Sequence, residues 1–161
     1  MIRAGAKALA AALGLASISA SPHLAACELV LTEHRSGQHL FSLPLDAAQP
    51  EITIAFEHSV LGTTVQDRYR FLPGPTLVEE RFEGEGYGLP IAAGPGEHLL
   101  RDGEGWRLLL HRPVDPLVVR PLPSQGMRLQ SQGREWLLSQ FSTQAILFNT
   151  TGCAPSLAAR R

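Results

Sequence analysis

Residues 51–70 read EITIAFEHSVLGTTVQDRYR and contain two runs in which apolar and polar side chains alternate. Such alternation is typical of β-strands with one buried face, because successive side chains point to opposite sides of a strand. The pair Leu61 and Gly62 lies between the two runs. We therefore expect strands Glu51–His58 and Thr64–Leu72 to form an antiparallel hairpin around a turn at these residues.

The rest of the chain repeats this pattern, with short apolar segments separated by many of the 15 glycines and 12 prolines. No segment has a convincing helical period, so we predict an all-β fold: a single antiparallel β-sandwich or barrel-like domain of about ten short strands. The glycine-rich stretch from Glu83 to Gly105 is predicted to be a long irregular loop. The remaining predicted strands are Glu28–Thr32, Gln38–Leu43, Thr76–Phe82, Trp106–His111, Leu117–Arg120, Met127–Gln130, Arg134–Leu138 and Gln144–Phe148.

The N-terminal residues have the order of a secretory signal peptide. Arg3 and Lys7 precede an apolar run from Ala8 to Ala20, and small residues follow it. The run is too short to span a bilayer comfortably. We therefore expect export to the periplasm or cell envelope, with a signal peptide at 1–26, one all-β domain at 27–153 and a flexible tail at 154–161.

Cys27 allows two alternatives that exclude each other. It can form a disulfide with Cys153, the only other cysteine, as an even cysteine count in an exported protein favours. Alternatively, the stretch Leu24 to Cys27 resembles a lipobox, in which Cys27 is lipidated and anchors a lipoprotein. Pro22 and His23 interrupt the apolar run where a lipobox needs it, so we favour the disulfide.

Charge and residue usage exclude several classes of function. Loss of Arg3 and Lys7 would reduce the 14 basic residues to 12 against 15 acidic ones, a formal charge of −3, which offers no basic field for nucleic acid. Lys7 is the only lysine, so Schiff-base chemistry is excluded from the mature protein. His34, His39, His98 and His111 lack the spacing of a zinc site, and we expect no metal or cofactor.

The hairpin carries the most informative polar residues. His58 continues the apolar face of Ile52, Ile54 and Phe56, and Asp67 lies on the apolar face of the second strand. If the turn brings His58 and Asp67 nearly opposite each other, the imidazole supplies the donor that a buried carboxylate needs. The pair would be either a structural hydrogen bond or part of a ligand-facing site. A hydrolytic triad is disfavoured because a serine next to His58 points to the opposite face of an extended strand.

Two stretches resemble a known bacterial family, domain of unknown function 1850. The segment Phe56–Asp67, FEHSVLGTTVQD, is similar to the family's His-Ser-Val motif with its following threonine and acid. The second stretch runs from Leu77 to Pro90, and its parts LVEERF at 77–82 and GYGLP at 86–90 are similar to the family's Glu-x-Arg-Phe and Gly-x-Gly-x-Pro signature. Leu61, Gly62 and Tyr87 depart from the residues that members often carry, so the resemblance implies no ligand role for these three positions.

The resemblance implies an envelope companion of tripartite ATP-independent periplasmic (TRAP) transporters of the TAXI type. We therefore expect a non-enzymatic accessory or binding protein for organic-anion transport, which docks to the membrane subunit or the solute receptor. Alternatives are an envelope enzyme that acts on small carboxylates with His58 and Asp67 as an acid–base pair, or a lipoprotein assembly factor anchored through Cys27. The expected ligand- or partner-binding residues are His58, Ser59, Thr63, Asp67, Glu79, Arg81, Gly86 and Gly88.

Overall fold

A computed structural model describes residues 26–86 and 88–153. The predicted signal peptide up to residue 25, the predicted tail at 154–161, and Tyr87 lie outside the described residues. The described chain is all-β, as predicted. Its strands are β1 Glu28–Glu33, β2 His39–Pro44, β3 Glu51–Glu57, β4 Thr64–Arg70, β5 Thr76–Glu83, β6 His98–Asp102, β7 Gly105–Pro113, β8 Leu117–Val119, β9 Arg128–Ser131, β10 Arg134–Leu137 and β11 Ile146–Thr151.

The strands form two antiparallel sheets that pack as a sandwich. The smaller sheet has the order β2-β1-β11-β8, and the larger has the order β10-β9-β3-β4-β5-β7-β6. The 3-10 turns Pro123–Gln125 and Leu138–Gln140 flank β9 and β10. The predicted hairpin of β3 and β4 lies at the centre of the larger sheet, so one face of each strand is covered by the core.

The core lies between the two sheets and follows the alternation of the sequence. Leu29, Leu31 and Phe148 of the smaller sheet are fully buried, and Leu129 and Leu108 of the larger sheet are at most 1% exposed. Burial of such side chains contributes roughly 1.5–3 kcal/mol each relative to exposure. The polar residues between them point away from the core, which explains why the alternating pattern predicts the sheets correctly.

Cys27 and Cys153 form a disulfide. The two residues flank β1 and β11, which are hydrogen-bonded neighbours with Glu28 opposite Thr151. The bridge therefore closes almost the whole domain into one loop. A lipid on Cys27 would need the same sulfur atom, so the structure agrees with the disulfide alternative.

The stretch from Glu83 to Gly105 is not wholly irregular, because it contains β6. This edge strand pairs with β7 across a tight turn at Gly103, whose φ is +64°. Its side chains are mostly exposed, so it lacks the apolar alternation that marks the other strands. The Asp102-Gly103 pair is the local signal that could have revealed the hairpin.

No α-helix occurs in the described parts of the chain. A search of the same residues for a helix long and apolar enough to cross a membrane finds none.

Candidate functional site

The turn between β3 and β4 sets the register of the hairpin. The backbone N–H of His58 donates to the Thr63 carbonyl at 2.8 Å, and the N–H of Gly62 donates to the His58 carbonyl at 2.8 Å. His58 is thus opposite Thr63, and Asp67 is opposite Ile54. The predicted pairing of His58 with Asp67 is wrong, because the loop has only four residues where that pairing would need eight. The two share a face but lie four positions apart, or about 13 Å along the strand.

The imidazole of His58 bonds to its own turn instead. Its Nδ1 atom accepts hydrogen bonds from the backbone N–H groups of Val60 and Leu61, each at 3.3 Å. An Nδ1 atom that accepts carries no proton, so the proton of the neutral ring lies on Nε2. The turn therefore presents an N–H donor on the far side of the ring.

The loop that begins at Gly86 packs against this turn. The point where a Cβ atom would stand on Gly88 lies 3.5 Å from Nε2 of His58, and the corresponding point on Gly86 lies 3.5 Å from Cδ2 of Leu61. Gly88 has φ +86°, a conformation that glycine adopts readily and other residues avoid. Thr63 adds a link, since its hydroxyl donates to the carbonyl of Glu83 at 3.2 Å. The two segments quoted for the family resemblance thus contact each other.

A cavity of about 230 Å³ lies at this junction. Its apolar floor belongs to β3, β4 and β5, one wall is the loop that follows Gly86, and Gln125 approaches from the 3-10 turn before β9. Of the predicted site residues, His58, Ser59 and Gly88 line it, while Thr63 and Gly86 support it from behind. The complete lining is Phe56, His58, Ser59, Val65, Glu80, Phe82, Gly88, Leu89, Pro90 and Gln125.

Glu80 supplies the acidic end of the cavity and was not predicted. It is opposite Asp67 across β4 and β5, so two carboxyl groups lie side by side on the core face. Burial, followed by the charge of Glu80, raises the pKa of Asp67 to about 7, although Tyr69 donates a hydrogen bond to it at 3.3 Å. Burial also raises the pKa of Glu80, against the nearby charge of Arg112. Glu80 lies two positions before Phe82 on the same strand, so both side chains point to one face. This spacing could have identified Glu80 as a residue of the core face.

Glu79 and Arg81, which were also predicted as binding residues, do not line this cavity, because positions 79 and 81 of β5 face the outer side of the sheet. Glu79 is buried there and accepts hydrogen bonds from Arg68 at 2.8 Å and from Arg81 at 2.7 Å. Arg68 also contacts Glu51 at 3.2 Å. These residues form an ion-pair ladder across the outer face, with a structural role.

The cavity offers several groups that can bind a ligand or partner. These are one N–H donor on His58, the hydroxyl of the exposed Ser59, the carboxyl group of Glu80 and the amide of Gln125, among otherwise apolar residues and Gly88. His58 and Asp67 are too far apart to act as an acid–base pair. Among the described residues no cluster of three or more His, Cys, Asp or Glu side chains could hold a metal ion.

One comparison with known proteins gives a match. The model of a family described as Domain of unknown function (DUF1850) matches residues 52–138. That stretch includes every residue that lines the cavity. No curated protein and no solved structure matches the chain.

Proposed function

We propose that this chain, which belongs to the DUF1850 family, is an exported, non-enzymatic binding module that serves a TAXI-type TRAP transport system for organic anions. It would dock to the membrane subunit or to the solute receptor of that system. The choice of transporter rests on the family resemblance. The observation that carries the binding role is the convergence of the His58 turn and the Gly86–Pro90 loop on one cavity.

Export is supported by two features. The N-terminal sequence has the order of a signal peptide. The disulfide between Cys27 and Cys153 is the kind of bond that persists in oxidising compartments such as the periplasm.

The acidic end of the cavity favours partner docking over binding of the transported solute. The carboxyl group of Glu80 offers an organic anion no favourable charge, and no arginine is among the residues that line the cavity. The mechanism would therefore be recognition of a protein surface, with the transported anion bound elsewhere in the system.

The two alternatives receive less support. An enzyme with His58 and Asp67 as acid and base would need these side chains within hydrogen-bond reach, and the register separates them by four positions. A lipoprotein assembly factor anchored at Cys27 would need a sulfur atom that the disulfide already uses.

A binding measurement with transporter subunits tests the proposal. The disulfide-bonded protein is titrated against the detergent-solubilised membrane subunit and, separately, the solute receptor of the TAXI-type system encoded nearest to it. We expect saturable binding to one of them and none to the subunits of an unrelated transporter. If the protein binds neither TAXI subunit saturably, the transporter assignment is overturned.

A further inference from the structure

The inner end of the cavity is suited to a positive charge. Glu80 lines it, and Asp67 lies directly behind Glu80 on the neighbouring strand. The charge of Glu97 also acts on Glu80. Arg112 is the guanidinium whose charge acts on both Glu80 and Asp67, and it is already bonded to Glu97 at 3.2 Å.

The walls of the cavity are suited to a hydrocarbon chain. Phe56, Val65 and Phe82 form one side, and Leu89 and Pro90 form the other. The volume of the cavity is about 230 Å³. This space accommodates one long side chain whose apolar stem contacts the walls and whose charged end reaches Glu80.

Three exposed apolar side chains lie within three positions of residues that line the cavity. Val60, next to Ser59, is 67% exposed, Ile91, next to Pro90, is 87% exposed, and Leu122, three positions before Gln125, is 44% exposed. A free small molecule would leave these side chains in water, whereas a protein partner would cover them on binding.

We infer that the cavity receives a lysine or arginine side chain of a partner protein, whose neighbouring apolar residues cover Val60, Ile91 and Leu122. This inference rests on the proposed docking function and names the residue that docks. The stem of the basic side chain contacts Phe56, Val65 and Phe82, and its cationic end binds Glu80. The Nε2–H of His58 donates to a backbone carbonyl of the partner at the mouth. Arginine side chains held in desolvated pockets are common anchors of protein interfaces, and a lysine stem can contact the same apolar walls.

Two small probes that differ in one charge test this inference. The disulfide-bonded protein is titrated with N-acetyl-lysine-N-methylamide and with N-acetyl-norleucine-N-methylamide, and the amide NMR signals of the residues lining the cavity are followed. We expect saturable shifts with the lysine probe and at least tenfold weaker binding of the norleucine probe. Equal affinities would overturn the inference, as would no saturable shift with either probe or preferential binding of N-acetyl-glutamate-N-methylamide.

A matched pair of variants identifies the carboxyl group responsible. Glu80→Gln keeps the shape of the side chain and removes its charge, so we expect it to lower the affinity for the lysine probe to that for norleucine. Glu104→Gln, in the exposed turn before β7, should leave the affinity unchanged. An unchanged affinity of Glu80→Gln for the lysine probe would overturn the inference. If this variant fails to fold, the comparison of the two probes on the unaltered protein still tests the inference. Saturable binding to a TAXI subunit without discrimination between the probes would retain the proposed function and reject only the basic anchor.

Discussion

The Nε2 atom of His58 lies 3.5 Å from the point where a Cβ atom would stand on Gly88. The two residues are 30 positions apart in the chain, and each belongs to one of the two segments that resemble the family's motifs. Their contact brings the two segments together at the cavity. The His58 turn presents an N–H donor, and the absence of a side chain at position 88 leaves space in front of that donor.

Gly88→Ala should narrow this space and strain the backbone. The φ of +86° costs a residue with a Cβ atom roughly 1–2 kcal/mol, so we expect the free energy of unfolding to fall by about that amount. Binding of the lysine probe should also weaken. Chemical denaturation and the NMR titration measure the two effects.

Gly74→Ala is the matched control for Gly88→Ala. Gly74 does not have a positive φ, and no atom lies within 4 Å of the point where its Cβ atom would stand, so this change should leave stability and binding nearly unaffected. Equal behaviour of the two variants would contradict the role given to Gly88.

Asp67→Asn should change how stability depends on pH. Because burial and Glu80 raise the pKa of Asp67 from 3.8 to about 7, the folded protein retains a proton that the unfolded chain releases. The free energy of unfolding therefore falls as pH rises from about 4 to 7, by up to about 4 kcal/mol. Asparagine does not titrate, so the free energy of unfolding of Asp67→Asn should increase relative to that of the unaltered protein over this range. Chemical denaturation at a series of pH values measures this difference.

The groups that face Asp67 are Glu80 on β5, Tyr69 on β4 and Arg112 on β7, and Glu97 acts on Glu80. The two carboxyl groups titrate as a coupled pair, so the transition should be broad. Asp46→Asn, on an exposed turn, provides the control and should show no such trend. A constant stability difference between Asp67→Asn and the unaltered protein would show that Asp67 is not desolvated as described.

Glu79→Gln should affect the fold and not the cavity. The buried carboxylate of Glu79 bonds to Arg68 and Arg81, and an amide can accept from these guanidinium groups less strongly. We expect a loss of about 1–3 kcal/mol in the free energy of unfolding, with unchanged affinity for the lysine probe. Glu135→Gln, which disrupts the exposed pair with Arg128, should cost less than about 1 kcal/mol. If folded Glu79→Gln no longer binds the lysine probe, Glu79 takes part in binding and this prediction is wrong.

Removal of the disulfide should destabilise the domain strongly. Cys27 and Cys153 are 126 positions apart, and the chain-entropy model gives about 4–5 kcal/mol for a loop of this length. We therefore expect the double variant Cys27→Ser, Cys153→Ser to unfold at much lower denaturant concentration. The intact mass of the exported protein, before and after reduction and alkylation, checks the bond itself. A lipid-modified Cys27 or two free thiols would contradict the structure.

The fold follows from the sequence because the core side chains obey the period of a strand. Ile52, Ile54 and Phe56 occupy every second position of β3, and the structure places them on the face that packs against the smaller sheet or lines the cavity. Edge strand β6 escaped prediction because an exposed edge requires no apolar alternation.

The site is only partly visible in the sequence, because it depends on register and on a distant loop. The choice of His58 and Gly88 agrees with the cavity, but the partner assigned to His58 depended on the length of the turn. A turn four residues shorter moves the position opposite His58 from Asp67 to Thr63. Glu80 shares a strand face with Phe82 and could have been identified from spacing alone, whereas its position opposite Asp67 requires the pairing of β4 with β5.

Site-specific photo-crosslinking tests most directly whether the partner binds at the cavity mouth. A photoreactive amino acid is placed at Val60, next to the cavity-lining Ser59, or at Gln132 in the β9–β10 turn. The side chain of Gln132 donates to the carbonyl of Pro44 in β2, away from the His58 turn. Cells that produce the TAXI-type transporter are irradiated and the crosslinked products are identified by mass spectrometry. We predict a crosslink from Val60, and not from Gln132, to the membrane subunit or solute receptor. Crosslinking from Gln132 alone, or from neither position, would contradict the account.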